Sequence, residues 1–532
     1  MPPFHELIIY QLHIGVFYAQ KDGIDIRPNR VSKFLDVIDR IEYLASLGVN
    51  AVQPLPVVEW QGPVSMGYNN TDFYSPEMDY ALGESEIEPY LERVNNLLAK
   101  KNQPPMTKAQ LASQVNQLKA MIDLFHLYGI AVIVDVVYNH GGGPFDPQSM
   151  RFIDRPANQE WWDKDNYFIE GPGWAGGRIF DYSSEEVKRF LIDNAKMFLD
   201  EYHVDGFRYD EVSVIDNNGG AQFCREITAA LHDFKPASIH IAEYWNPFRA
   251  VPVQEGGLGF DAALNDGLRE AIRGAVRQAS RGKHAYVDLD AVSNALKKPP
   301  YFPALWKAVN YVESHDVAKA DRDDPSQIEP RIPALANWND RRDWYARSRS
   351  RVAAGLLLTA PGIPMIFMGQ EFLEDKPWHT NPARSEFLLY WDGLQTDRAM
   401  IDFRRFMADA CKLRRNFPAL CSEGINPFFN HNVDRVIAFH RWVEGQGKDV
   451  VVVASLNESH LWTYQMPFPT GGYWREVFNS DAYDNMPLDG GFNPNAVGNP
   501  TGVVADGPPL QEYLTSAAMV IPANGLLVFA KA

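Results

Sequence analysis

Four short clusters of acidic and basic residues, each closing an apolar run, carry the residue types that could do chemistry. They are Asp135-Val136-Val137-Tyr138-Asn139-His140, Arg208-Tyr209-Asp210, Ala242-Glu243-Tyr244-Trp245 and Glu313-Ser314-His315-Asp316. Residues two apart on a strand share a side, so Arg208 and Asp210 point the same way. A guanidinium beside a carboxylate depresses its pKa, which makes Asp210 a candidate nucleophile. A structural ion pair is an equally good reading of those two residues alone. Glu243 adjoins Tyr244 and Trp245, surroundings that disfavour its charge and suit it to donating a proton. Plain readings exist for the others: His140 and His315 as satisfied structural histidines, Asp135 as a brace for Arg208, Glu313 as a solvated rim charge. Glu211 is expected to face away from the pocket, because neighbours on a strand alternate.

Together the clusters say more than any one does. Asp210, Glu243 and Asp316 would converge on one mouth, and clustered like charges raise the pKa of one carboxyl. An ionised carboxylate and a protonated one are what retaining cleavage of a glycosidic bond requires, at a separation of roughly 5–5.5 Å. Asp210 then attacks, Glu243 protonates the leaving oxygen, and Asp316 bonds sugar hydroxyls.

The elements that must position these groups alternate along the chain. Strand-like runs at residues 7–14, 49–57, 130–137, 204–210, 238–243, 307–313, 363–368 and 387–391 are separated by helical patterns, among them 107–128, 222–234, 262–279 and 343–360. A further helix is expected to open at Ser183, with Glu186 completing a capping box. Eight strands alternating with helices predict a (β/α)8 TIM barrel over residues 1–418, with polar residues at the carboxyl ends of its strands lining the site. A doubly wound sheet competes, but the first strand–helix turn lacks a glycine-rich fingerprint. The Gly-, Pro- and Trp-rich stretch 138–181 reads as a subdomain inserted after strand 3. From residue 419 to 532 the pattern turns to strands and turns, an antiparallel β-sandwich.

A net charge of −18 argues against nucleic acid and anionic membrane surfaces as partners. Three scattered cysteines, no signal-like start and no apolar run of bilayer length make a cytoplasmic protein the expectation. Tryptophans fall in expected loops (Trp60, Trp161, Trp162, Trp174, Trp245, Trp378), where indole faces can cover sugar rings. No His-x-His or His-Glu-x-x-His spacing is present, so no catalytic metal is expected. Oligomeric state is not readable from these features.

In order and in strand position, Asp135–His140, Gly206–Asp210, Ala242–Glu243 and His315–Asp316 resemble the four motif regions of the α-amylase family, glycoside hydrolase family 13. The stretch Ile363–Glu371 resembles that family's seventh-strand segment. The resemblance implies a retaining enzyme acting on α-glucans or malto-oligosaccharides, with Asp210 as nucleophile, Glu243 as general acid/base and Asp316 as transition-state stabiliser. It further implies that Arg208, His140 and His315 bind around the reacting sugar, that Asp135 supports Arg208, and that Tyr68 stacks beneath the ring. Calcium-dependent amylases carry a histidine four residues past the nucleophile. Val214 stands there, so the calcium-ligand position matched by Asn139 lacks its partner, and no metal or cofactor is expected. The residue after the nucleophile, usually small, is Glu211. Met368–Trp378 and the C-terminal domain resemble branching enzymes, and Asp135–His140 resembles debranching and trehalose-releasing relatives; the resemblance leans to branching-type transfer on a glycogen-like glucan, with an α-amylase or debranching-type hydrolase as the alternative. A non-catalytic binding protein on the same barrel is the third reading, opposed by the intact carboxylate set.

Overall fold

Eight parallel strands close on themselves in the computed structural model, each paired with its neighbours in sequence. They are β1 (Ile9–Leu12), β2 (Ala51–Pro54), β3 (Ala131–Val136), β4 (Gly206–Tyr209), β5 (Ile239–Ala242), β6 (Ala262–Asn265), β7 (Ala308–Asn310) and β8 (Ile363–Phe367). Closure is made by β8 on β1, with Ile9 opposite Met365. The structure describes all residues except 20–29, 63, 143–165, 172, 246, 252–255, 301, 321–327, 488, 490 and 492, and the side chains of 247 and 248. Trp161, Trp162 and most of the expected subdomain therefore lie outside the described residues. Its described ends pair His140–Gly141 with Arg178–Ile179, antiparallel.

The strands are apolar on both faces because both are covered. Inward residues such as Ile9, Ile133, Ile241, Val309 and Met365 fill the barrel. Outward ones such as Tyr10, Val132, Phe207 and Ile366 pack beneath the helices. Helix α1 (Glu185–Glu201) starts one residue later than the capping pattern predicts, with the Ser184 hydroxyl accepting from the amide of Val187. Helices α2 (Val212–Asn217) and α3 (Ala221–Phe234) follow β4, α4 (Asp266–Ala279) follows β6, and α5 (Trp344–Thr359) precedes β8.

Two expectations about the strands are corrected. The stretch 262–279, expected as one helix, begins with β6, and the stretch 387–391, expected as the last strand, has no strand in it. Asn265 ends β6 and caps α4 through its side chain, so no turn residue separates the two elements. Glu313 thus lies past the seventh strand, and Ile363–Glu371 carries the eighth.

After helix α6 (Arg398–Asn416) the chain forms β9 (Gly424–His431), β10 (Val436–Trp442), β11 (Val450–Ser455), β12 (Leu461–Phe468), β13 (Gly472–Asn479), β14 (Val503–Ala505), β15 (Thr515–Ile521) and β16 (Leu526–Lys531). Six make one antiparallel sheet, in the order β9-β10-β11-β16-β13-β14, and β12 pairs with β15 above it. Val451, Val453 and Phe529 face that second layer, while Val450, Val452 and Val528 join the core under the barrel helices. At the seam Gly355 of α5 leaves room for Leu526, whose Cδ1 would lie 2.8 Å from an added Cβ. Two buried arginines cap the end of α5. Arg414 donates to the carbonyls of Leu358 (2.9 Å) and Ala360 (2.8 Å), and Arg441 to that of Thr359 (2.7 Å). Among the described residues no helix is long and apolar enough to cross a membrane.

Glu313 is not a rim charge. It is fully buried, 3.1 Å from Arg331 Nη1, and it accepts from the Ile332 amide at 2.7 Å. Removing one partner of such a pair strands a buried charge. Glu313→Ala is expected to lose about 3–5 kcal/mol of stability, read from urea denaturation, with Glu313→Gln losing clearly less; equal losses would contradict the charge argument.

Candidate active site

Local geometry brings the clusters together at the carboxyl ends of β3, β4, β5 and β7. Strand β4 opens on Gly206, where a Cβ would sit 2.1 Å from the Ile239 carbonyl, so only glycine lets β4 lie this close to β5. The strand then delivers Arg208 between three carboxylates. Its Nη1 lies 2.9 Å from both Asp135 Oδ1 and Asp210 Oδ1, and its Nη2 lies 2.8 Å from Glu243 Oε2. All four groups are buried. Asn139 donates to Asp210 Oδ2 at 2.8 Å and to the Asp210 carbonyl at 2.9 Å.

A second ring of contacts orients the first. The Tyr68 hydroxyl donates to Asp135 Oδ2 at 2.9 Å and receives a bond from His315 Nε2 at 2.9 Å. Its ring is stacked on that of His315, 5.5 Å between centroids. His315 Nε2 also lies 3.2 Å from Asp316 Oδ2, and the His315 amide donates to Gln11 Oε1 at 3.0 Å. His140 gives its Nε2 proton to the Tyr68 carbonyl at 2.7 Å. Burial pushes both histidines down to about 4. Asp316, with 49% of its side chain exposed, stands at the mouth.

These groups open onto a cleft of about 460 Å³, walled by Tyr68, Trp174, Trp245, Asp316, Arg269 and Glu329 among others. Of the tryptophans read as sugar-facing, Trp174 and Trp245 are exposed in this cleft, whereas Trp60 and Trp378 are buried. Glu211 corrects the strand-alternation expectation. The strand has ended at Tyr209, and Glu211 takes a left-handed backbone (φ 45°, ψ 48°) that returns its side chain to the cleft. Its amide donates to Glu243 Oε2 at 3.0 Å. Arg269 and Glu329, which sequence reasoning missed, come from α4 and the segment before Arg331. No chemical motif marks them, and a break between β6 and α4 would have been the only clue to Arg269.

The closing β domain matches the model described as "Alpha amylase, C-terminal all-beta domain" over residues 428–531. The chain is 25% identical to a "1,4-alpha-glucan branching enzyme GlgB" of Synechococcus sp. (strain CC9605), over 98% of this chain and 65% of that protein. It is likewise 25% identical to the GlgB of Salinibacter ruber, over 98% of this chain and 76% of that protein. The C-terminal domain is thus that of α-amylases, and the chain as a whole is similar to glucan branching enzymes. It spans just under two thirds of the length of the Synechococcus relative. The α-amylase fold is matched along 100% of this chain by an α-amylase of Geobacillus thermoleovorans solved with acarbose (TM-score 0.67, 16% identity, 99% of that chain). An Anoxybacillus pullulanase solved with maltotetraose also matches (TM-score 0.68, 20% identity, 100% of this chain, 72% of that one).

Asp210, Glu243, Asp316, Tyr68, Asp135, His140, Arg208 and His315, which the α-amylase resemblance singles out, thus lie in or directly behind one cleft. The electrostatics differ from expectation. Burial raises Asp210 and Asp135 to about 7 despite the opposing pull of Arg208. The same burial, and the charges of Asp210 and Asp316, raise Glu243 further. The aromatic neighbours expected to do this do not. Tyr244 turns to Asp216 at 2.7 Å, and Trp245 is 65% exposed. The Asn139 amide is engaged with Asp210 and the His140 ring, and Val214 is buried and apolar.

A carboxyl raised in the folded state favours folding at low pH and loses that contribution as pH rises through its folded pKa. Stability is therefore expected to fall as pH passes through about 7 to 8. Glu243→Gln removes part of that slope, so its urea midpoint should drop less than the parent's between pH 6 and pH 9; parallel drops would contradict the assignment.

Proposed function

We propose that the chain is a retaining enzyme that cleaves α-1,4-glucosidic bonds of glycogen- or starch-type glucans and transfers the released chain to a sugar hydroxyl, as branching does. The observation that carries this reading is the pair of carboxyls at the ends of adjacent strands β4 and β5, both held against the guanidinium of Arg208 at the floor of an aromatic-walled cleft. Two carboxyls bridged by one side chain suit the retaining separation of roughly 5–5.5 Å, not the wider gap that houses an inverting water.

In this reading Asp210 attacks the anomeric carbon, and the hydrogen bonds of its two oxygens to Arg208 Nη1 and Asn139 Nδ2 support that role. Glu243, the carboxyl most disposed to hold a proton at neutral pH, gives it to the departing glycosidic oxygen. A glucosyl ester on Asp210 results, and the Glu243 carboxylate then takes a proton from the incoming hydroxyl as the ester is displaced. Asp316 at the mouth receives sugar hydroxyls, and Tyr68 offers a ring to the reacting sugar. Identity to branching enzymes across nearly the whole chain supports transfer as the outcome. A neutral substrate fits a cleft lined by Asp210, Glu211, Glu243, Asp316 and Glu329.

Asp210→Asn is expected to lower turnover of amylose at least about 10⁴-fold without altering the fold; substantial residual turnover would overturn the nucleophile assignment. Incubating the parent with amylose should create α-1,6 linkages with little gain in reducing ends, whereas a steep rise in reducing ends would make it a hydrolase. Activity should survive EDTA, and complete loss would restore a structural ion to the account.

A further inference from the structure

Glu211 and Trp245 form a contact that the reaction as described does not use. The indole Nε1 of Trp245 donates to Glu211 Oε2 at 2.7 Å, and Ser213 Oγ donates to the same oxygen at 3.3 Å. Glu211 is itself fixed from both sides. Its amide is spent on Glu243 Oε2, and its left-handed backbone sets the side chain into the cleft, where helix α2 begins. The indole is thus held by its polar edge while 65% of the residue stays bare.

The position of Trp245 fixes which sugar it would meet. Glu243, two residues earlier, protonates the oxygen joining the two sugars, so it stands between them. Tyr68 and His315 occupy the cleft wall beside Arg208, where the attacked sugar sits. Besides the main cleft, Trp245 borders a smaller chamber with Glu243, Arg269, Tyr311, His315 and Asp316, and neither Tyr68 nor Asp210 lines that chamber. A bare indole face in a cleft suits the apolar face of a pyranose ring.

We propose that Glu211 is a positioning residue for acceptor choice: its carboxylate locks Trp245 as the platform on which the leaving and then the accepting glucan stacks. The proposal rests on the transfer reading above. The lock leaves the indole one orientation, so an acceptor sugar finds its surface already in place and spends less ordering entropy on binding.

The test uses α-maltosyl fluoride as donor and maltotriose as acceptor, following transfer and water-limited release of fluoride in the full-length protein. Glu211→Ala is expected to raise the KM for maltotriose about tenfold, the scale of one lost charge-assisted hydrogen bond, with a smaller change in kcat at saturating acceptor. Glu211→Gln, whose amide oxygen still accepts from the indole, should recover most of the loss. In a Trp245→Phe background, which lacks the indole N–H, adding Glu211→Ala should change the acceptor KM less than twofold. A fall in kcat at unchanged KM, failure of Gln to rescue, or full additivity in the Phe background would each overturn the lock. A parent chain that releases no fluoride from the donor overturns the transfer reading itself, and the lock with it.

Discussion

A single guanidinium buried among three carboxylates is the constraint on which the site depends. Arg208 can be held out of water only because Asp135, Asp210 and Glu243 surround it, since an unpaired buried cation would be several kcal/mol less stable. With one positive charge for three acids, the cluster would carry surplus negative charge in a dry place. A proton retained on one of them relieves this. That one of these acids holds a proton while another is ionised thus follows from charge counting around Arg208, and the acids belong to one coupled titration.

Everything behind that cluster serves to hold it still. Gly206 lets β4 lie against β5, which brings Asp210 and Glu243 to one guanidinium. Tyr68 ties Asp135 to His315, and Gln11 on β1 ties the His315 backbone across the barrel mouth. The chain of contacts therefore runs through side chains from β1, β3, β4, β5 and the end of β7. Preorganisation of this kind comes from rigid strands, with the more variable walls left to loops.

Much of this was legible in the sequence, and the failures have physical causes. The β-branched run at β3 announced a buried parallel strand, and the four clusters marked the strand ends. Strand β6 was illegible because it has four residues, two of them alanine, and its last residue already caps the next helix. Glu211 was misplaced because alternation holds only while the strand lasts, and nothing in Asp210-Glu211-Val212 declares a left-handed turn. Glu313 was read as a surface charge because its partner, Arg331, is distant in sequence. The direction of the Asp210 shift was wrong for a different reason: a neighbouring arginine can be read from spacing, but the degree of water exclusion cannot.

The arginine caps at the end of α5 bear on the relation between the barrel and the sheet that follows it. Arg441 comes from β10 and Arg414 from the helix leading to it, yet both bind carbonyls at the helix end that feeds β8, the strand that closes the barrel. The last stave of the barrel is thus anchored by residues contributed from beyond it. Cutting the chain ahead of the β domain would spare Arg414 but leave the Thr359 carbonyl without the Arg441 donor and bare an apolar flank, so the barrel leans on the sheet that follows it.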